Sequence, residues 1–278
     1  RAAGPRPSRR CRGRGGRVTD DRSARSIAGD GEALEIAGIT DRGPVRTQNQ
    51  DVWDARVGPG GRSAVLALAD GMGGHKGGLE SAEAAIAGAM SVLSAPEPSG
   101  DPAAILRRAV AAANDAVAVA RQSIGGSPGT TLVLAIVNGA HATVANVGDS
   151  RAYLISGSQV TQITDDHSWA AGQVRLGVLS AAEARHHQKR NLIERAVMGD
   201  PVEADVFEVD ASPGAVLLLC SDGLWEPLSE PALGAIVAAP DPLGVALTRA
   251  CDAALAGGGT DNVTMVAARW LPRLSGTV

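Results

Sequence analysis

Aromatic residues are scarce in this chain: four Trp, one Tyr and one Phe make up 2% of its 278 residues. That argues against a platform on which single-stranded bases stack, and it leaves the core to Ala, Val, Leu and Gly. Cysteines are few as well. Cys11, Cys220 and Cys251 are odd in number and far apart, which gives neither a disulfide framework nor a zinc-ligand spacing. They suit a reducing compartment, so a cytoplasmic location is expected, with Cys220 and Cys251 as small core residues. No apolar run approaches the roughly 20 residues of a membrane span. The net charge of -4 gives no overall pull toward nucleic acid or a membrane surface. No internal repeat is visible. What remains is 44% hydrophobic and 20% charged, the composition of one large globular domain with or without a tail. A monomer is the default expectation.

The first stretch differs from the rest. Arg1, Arg6, Arg9, Arg10, Arg12, Arg14, Arg17, Arg22 and Arg25 are mixed with Gly, Pro and Ser. Residues 1–33 are therefore expected to be a disordered Arg-rich tail. It reads either as a basic arm for an acidic partner or targeting, or as a solvated tail. It has no apolar stretch of the kind a secretory signal needs. A domain is expected over 34–271, followed by a short C-terminal tail over 272–278.

Within the domain, Leu34 to Thr40 reads as a strand and Asp41-Arg42-Gly43-Pro44 as a turn. Arg62 to Ala69 is a second strand, ending in a Gly-rich loop over Gly71 to Gly78. Ser81 to Leu93 and Asp101 to Gln122 have helical spacing, and Asp101-Pro102 suits an N-cap and first turn. Thr130 to Val137 and His141 to Val147 flank Asn138-Gly139, a strong hairpin signal. Arg151 to Ile155 and Gln159 to Ile163 continue an antiparallel meander. Thr164 to about Arg190 is polar with two short helical patterns. Two strands (Val206 to Val209 and Ala215 to Cys220), two helices (Glu230 to Ala238 and Pro242 to Ala256) and a last strand (Val263 to Trp270) complete the chain. Two helices inserted early and two late into a strand-rich chain suggest a sheet sandwich with helices outside.

The chemistry is carried by carboxylates. The apolar run Leu66-Ala67-Leu68-Ala69 ends in Asp70-Gly71, and Val216 to Ser221 runs into Asp222-Gly223. Gly257-Gly258-Gly259-Thr260 leads to Asp261-Asn262 before another apolar run. A carboxylate at the end of a buried strand is costly unless a cation neutralises it. Several of them beside turn residues suggest one shared cation site. Asp51 and Asp149 lie beside turns and are candidates to join it. Oxygen ligands without His or Cys suit hard divalent ions, Mg²⁺ or Mn²⁺. Two such ions about 3.5–4 Å apart would deprotonate a water at neutral pH, which best serves phosphate ester hydrolysis. Arg46 is the candidate for binding phosphate oxygens, and His75 the candidate acid for the leaving group.

The order of these motifs resembles the bacterial form of the metal-dependent protein phosphatases, the protein phosphatase 2C or PPM-type family. The matching blocks are Asp41-Arg42-Gly43 through Arg46 to Asn49-Gln50-Asp51, then Ala69-Asp70-Gly71-Met72-Gly73-Gly74-His75 and Gly129-Thr130-Thr131. Asn146 to Arg151, Leu219 to Leu224 and Gly259 to Thr264 follow, so the resemblance covers roughly Leu34 to Trp270. It implies an α+β fold, a β-sandwich of two antiparallel sheets flanked on both sides by α-helices, and a serine/threonine protein phosphatase that hydrolyses phosphoserine and phosphothreonine by a metal-activated water, with no phosphoenzyme. It implies Mn²⁺ or Mg²⁺ as two core ions, with a third in bacterial members. By position, Asp70 matches the carboxylate that bridges the two ions and Gly71 lends its carbonyl. Asp222 and Asp261 match ligands of the other ion, and Asp51 an acid that meets a metal directly or through water. Asp149 matches the ligand of the third metal, Arg46 the phosphate-binding Arg, and Asn262 a partner that orients the Asp261 region.

Asp165 to Asn191 matches the family's mobile flap beside the site, with His167, His186 and His187 expected to be solvated. Gln50 stands where some relatives have a Glu ligand, Leu79 where an acid is frequent, and Gln188 where a flap Pro is common. The implied partners are phosphoproteins, substrates of a Ser/Thr kinase, with no nucleic acid and no membrane. Three rivals are open: a phosphatase directed at a partner-switching antagonist, a small-molecule phosphoesterase, and a non-catalytic member that binds phosphoproteins.

Overall fold

The computed structural model describes residues 22–28, 33–73, 77–94, 100–124 and 126–272. The chain runs β1 (Arg22–Ala28), β2 (Leu34–Asp41), β3 (Asp51–Val57), β4 (Ser63–Met72), α1 (Gly78–Leu93) and α2 (Pro102–Ile124). Then come β5 (Gly129–Thr130), β6 (Leu132–Asn138), β7 (His141–Val147), β8 (Arg151–Ser156), β9 (Gln159–Gln162), α3 (Trp169–Arg175) and α4 (Ala181–His186). The last part is β10 (Asp205–Asp210), β11 (Val216–Cys220), α5 (Asp222–Trp225), α6 (Glu230–Val237), α7 (Leu243–Ala256) and β12 (Val263–Trp270).

The strands form two antiparallel sheets, ordered β1-β2-β12-β11-β8-β9 and β10-β7-β6-β4-β3, with β5 added to β4. Side chains alternate across each strand, and here both faces are covered. On β4, Leu66 and Leu68 enter the layer between the sheets, while Ala67 and Ala69 meet the helices α1 and α2. On β11, Leu217 and Leu219 enter the central layer, while Val216, Leu218 and Cys220 pack with Leu224, Leu243 and Leu247 of α5 and α7. The result is helices, sheet, sheet, helices. Strands buried on both faces read as continuous apolar runs, which is why they were visible in the sequence. Gly38 of β2 faces the central layer, where a Cβ would stand 2.6 Å from the Trp53 ring. The large indole thus fits only because no side chain opposes it.

Local details follow residue chemistry. Asp101 caps α2 through both carboxylate oxygens, which accept from the amides of Ala103 (3.2 Å) and Ala104 (3.3 Å). The β6–β7 loop lies one residue later than expected: Asn138 pairs with His141, so Gly139 and Ala140 make the turn, with Gly139 at φ 60°.

The expected disordered tail needs correction. Arg22–Ala28 is a strand paired over its whole length with β2. Its alternation puts Ile27 against the central layer and Arg25 over the Trp53 ring, while Arg22 bonds Asp252 at 2.6 Å. Its arginines thus find partners on the domain. Residues 1–21, with Cys11, lie outside the described residues.

Candidate metal centre

The central layer changes character at one end. Continuing the alternation of its apolar residues leads to Thr40 on β2, Asp51 on β3, Asp70 on β4, Thr264 on β12, and Ser221 just past β11. Asp51 and Asp70 are direct cross-strand partners. Thr40 and Thr264 are also partners, with their hydroxyls 2.6 Å apart. The Ser221 hydroxyl donates to Asp51 Oδ2 at 2.7 Å and accepts from the Thr264 amide at 3.0 Å. Asn49 donates to the Thr40 hydroxyl at 2.7 Å and accepts from the Asp51 amide at 3.2 Å.

A cavity of about 190 Å³ opens at this end, lined by Arg46, Gln50, Asp70, Asp149, Asp222 and Asp261 among others. Asp51 lies behind, 1% exposed. A larger cavity of about 290 Å³ lies under α3 and α4, but the carboxylates converge on the smaller one. Five acids from distant parts of the sequence are therefore gathered as expected, with two adjustments of placement. Asp222 is the first residue of the short helix α5 rather than a strand end, and Asp261 sits in the bend before β12.

Asp70 is held by its backbone. The Asp70 amide donates to the Thr131 hydroxyl at 3.0 Å, and its carbonyl accepts from the Thr131 amide (2.9 Å) and the Thr130 hydroxyl (2.8 Å). The Gly71 amide donates to the Gln50 carbonyl at 3.1 Å, and a Cβ at Gly71 would run into the Gly78 carbonyl. The Asn262 side chain bonds backbone groups on the segment that carries Arg46. Its Oδ1 accepts from the Gln50 amide at 2.8 Å, and its Nδ2 donates to the carbonyls of Arg42 (2.8 Å) and Gln48 (3.1 Å). The Arg46 loop is thereby fastened to the start of β12. Arg46 forms a 2.5 Å ion pair with Asp261.

The electrostatics is that of crowded acid groups. Burial pushes the Asp51 carboxyl up to about 6, against the Ser221 hydrogen bond. Burial and then Asp166 push Asp149 up to about 7. Asp70 and Asp222 are held well above the usual range, first by burial, then by Asp51 for the one and Asp149 for the other. Asp51 Oδ1 is buried with no hydrogen-bond partner among the described residues. Repelling carboxylates with an orphaned oxygen fit a hard divalent cation in donor chemistry. Among the described residues, no three Asp, Glu, His or Cys are grouped so that they alone could hold one ion.

His75 lies outside the described residues. The Asp165–Asn191 stretch does border the cavity, through Asn191 and the following Ile193. The expectation for His167 is corrected: it is 5% exposed, because its ring is clasped between the Gly148 amide and Asp205. His187 stacks on Trp169 with ring centroids 4.7 Å apart. Sequence reading gave no role to Ser221, Thr264, Thr40, Asn49 or Thr131. The signal for Ser221 was a hydroxyl wedged between a buried apolar run and a carboxylate.

Residues 45–250 match the family model for protein phosphatase 2C. Over 237 residues the chain is 39% identical to the serine/threonine protein phosphatase PstP of Mycobacterium tuberculosis, covering 84% of this chain and 45% of that protein. The chain thus spans less than half the length of PstP. It is 32% identical over 234 residues to the serine/threonine phosphatase stp of Listeria monocytogenes, covering 82% of this chain and 92% of the relative. Among solved structures it resembles Stp1 of Staphylococcus aureus (TM-score 0.80, 30% identity, covering 87% of this chain and 97% of the other). It also resembles the PstP catalytic domain in complex with two manganese ions (TM-score 0.74, 38% identity, covering 86% and 99%). Both the matched stretch and the near-complete coverage of stp show that the chain belongs to the protein phosphatase 2C family.

Proposed function

We propose that this chain is a metal-dependent serine/threonine protein phosphatase that hydrolyses phosphoserine and phosphothreonine in proteins. The observation that carries the reading is the convergence of Asp51, Asp70, Asp149, Asp222 and Asp261 with Arg46 at one end of the sandwich. Asp70, the Gly71 carbonyl, Asp222 and Asp261 would hold two Mn²⁺ or Mg²⁺ ions, with Asp51 beside them and Asp149 toward a third. Bound there, the ions would offset the carboxylate charge and acidify the water that attacks phosphorus.

The chain's own residues do the rest. Arg46 binds the phosphate: its contact with Asp261 engages one nitrogen of a guanidinium that carries five N–H donors. Ser221 and Asn49 hold Asp51 in place, and Asn262 keeps the Arg46 loop against Asp261. His75, on the Gly-rich loop that follows Asp70, protonates the leaving hydroxyl. The catalytic domain takes in the expected 34–271 together with β1. Its substrates are phosphoproteins made by a Ser/Thr kinase, and it works as a cytoplasmic monomer. The two described cysteines, buried and unpaired, suit a reducing compartment; no helix among the described residues is long and apolar enough to cross a membrane.

The test is turnover of p-nitrophenyl phosphate and of a phosphothreonine peptide with added Mn²⁺, with and without EDTA. Turnover of both that EDTA abolishes is the expected result. A folded, Mn²⁺-supplied chain that turns over neither would shift the reading to phosphoprotein binding without hydrolysis.

A further inference from the structure

His167 grips one residue, Gly148, by the peptide groups on both of its sides. Its backbone amide donates to the Gly148 carbonyl at 3.0 Å, and its Nδ1 accepts from the Gly148 amide at 3.0 Å. An N–H donor facing Nδ1 requires that nitrogen to be unprotonated, so the ring proton sits on Nε2. From there it donates to Asp205 Oδ2 at 3.0 Å; Arg195 Nη1 also lies 3.1 Å from Nε2, but with that nitrogen protonated it donates instead to Asp205 Oδ1 at 2.6 Å. Gly148 itself has φ 111°, and a Cβ there would stand 2.7 Å from the Thr131 side chain. The next residue is Asp149. Its carbonyl accepts from Trp225 Nε1 at 3.1 Å, and two residues later Arg151 makes a two-pronged pair with Asp166 (2.9 and 2.7 Å) while its guanidinium lies 3.6 Å from the Trp225 ring centroid. The turn bearing Asp149 is therefore fastened at 148, 149 and 151, and two of those fastenings come from the adjacent residues Asp166 and His167.

We propose that His167, in its Nε2–H tautomer, is a positioning residue that holds Gly148 by its N–H and its carbonyl and so aims the Asp149 carboxylate into the metal pocket. The inference rests on the metal-dependent reading above. It gives a buried histidine outside the carboxylate cluster a defined part in metal binding through backbone geometry. Burial keeps the ring's pKa low, with Arg195 and Arg175 acting in the same sense against Asp205; the neutral form that Gly148 requires is the favoured one.

The test uses the full chain and three variants. His167→Leu keeps bulk but removes the acceptor. His167→Asn returns an acceptor near the Nδ1 position. Asp205→Ala, at a half-exposed site, removes the acceptor of Nε2–H together with the Arg195 pair and leaves the Gly148 contact in place. Measured are the melting temperature, Mn²⁺ binding by calorimetry, and kcat and KM for a phosphothreonine peptide. In His167→Leu, Mn²⁺ affinity at the weakest site is expected to fall about tenfold or more, with kcat falling and KM for peptide nearly unchanged. His167→Asn is expected to recover most of the loss, and Asp205→Ala to show a smaller loss of the same kind.

Wild-type Mn²⁺ binding and kcat in His167→Leu would overturn the proposal. So would equal impairment of the Leu and Asn variants at equal melting temperature, since ring packing and not the acceptor would then matter. If His167→Leu does not fold, unaltered Mn²⁺ binding in Asp205→Ala overturns it. A wild-type chain that binds no Mn²⁺ would instead sink the metal-dependent reading itself.

Discussion

The apolar layer between the sheets and the acid-lined pocket are two parts of one layer. On a single face of β4, Leu66 and Leu68 are buried among hydrocarbon, and the next residue in the alternation is Asp70. On β3 the order is reversed: Asp51 comes first, then Trp53 and Ala55 in the core. Stability and chemistry are thus separated by about 7 Å of strand, two residues' rise. The core end is nearly all hydrocarbon, although the Trp53 indole N–H is buried there with no hydrogen-bond partner among the described residues. The pocket end gathers acids that repel each other, which a metal-free fold must tolerate and a bound cation relieves. The difference teaches that the pocket is a cost to the fold, borne by the layer beside it.

The sharpest way to break this comparison is Asp70→Asn. Phosphopeptide turnover is expected to fall by more than the about 100-fold that loss of a supporting partner can cost. In the same variant, the metal-free melting temperature is expected to rise, because one of the repelling charges is gone. A lowered melting temperature with activity retained would put Asp70 on the core side of the divide. Leu68→Ala asks the converse question. Removing that fully buried side chain is expected to destabilise by about 2–5 kcal/mol in denaturant titration, while the folded fraction keeps its Mn²⁺ affinity.

Ser221→Ala sits on the boundary, since its hydroxyl holds Asp51. An activity loss of about tenfold, with stability lowered by about 1–3 kcal/mol, is expected from the loss of a buried donor. An effect on stability alone would make Ser221 part of the core.

The smallest effect is on pH. Asp51 and Asp149 titrate near 6 and 7 in the fold, against about 3.9 for an unfolded Asp. Between those values the native state holds protons that the unfolded state has lost. Their contribution to stability is therefore full below about pH 4 and lost as pH rises through the folded pKa values. The melting temperature of EDTA-treated chain is expected to be lower at about pH 8 than at about pH 5.5, with Mn²⁺ restoring it at the higher pH. A rise with pH would contradict the burial of these acids.

Much of this was legible in the sequence. Strands covered on both faces appeared as unbroken apolar runs, and the motifs beside them named the five acids that line or back the pocket. Three features were not legible, for physical reasons. β1 was hidden because its Arg-rich composition imitates a solvated tail, and the partners that order it, Asp252 and the Trp53 ring, are far away in sequence. The supporting hydroxyls of Thr40, Ser221 and Thr264 were hidden because which face a strand residue takes depends on register, and register is a property of the paired sheet. His167 looked solvated because its neighbours Asp165, Asp166 and Ser168 are polar, although Asp205 and Gly148 bury it.

The most direct measurement is calorimetric titration of Mn²⁺ into the metal-stripped chain, beside the Asp222→Asn variant with its fold checked by circular dichroism. Saturable binding by the wild type, with protons released near pH 6.5 because the acids are partly protonated there, and clearly weakened binding in Asp222→Asn, is the expected result. Absence of binding in the folded wild type, or equal binding by the variant, would contradict the assignment of this pocket as the metal centre.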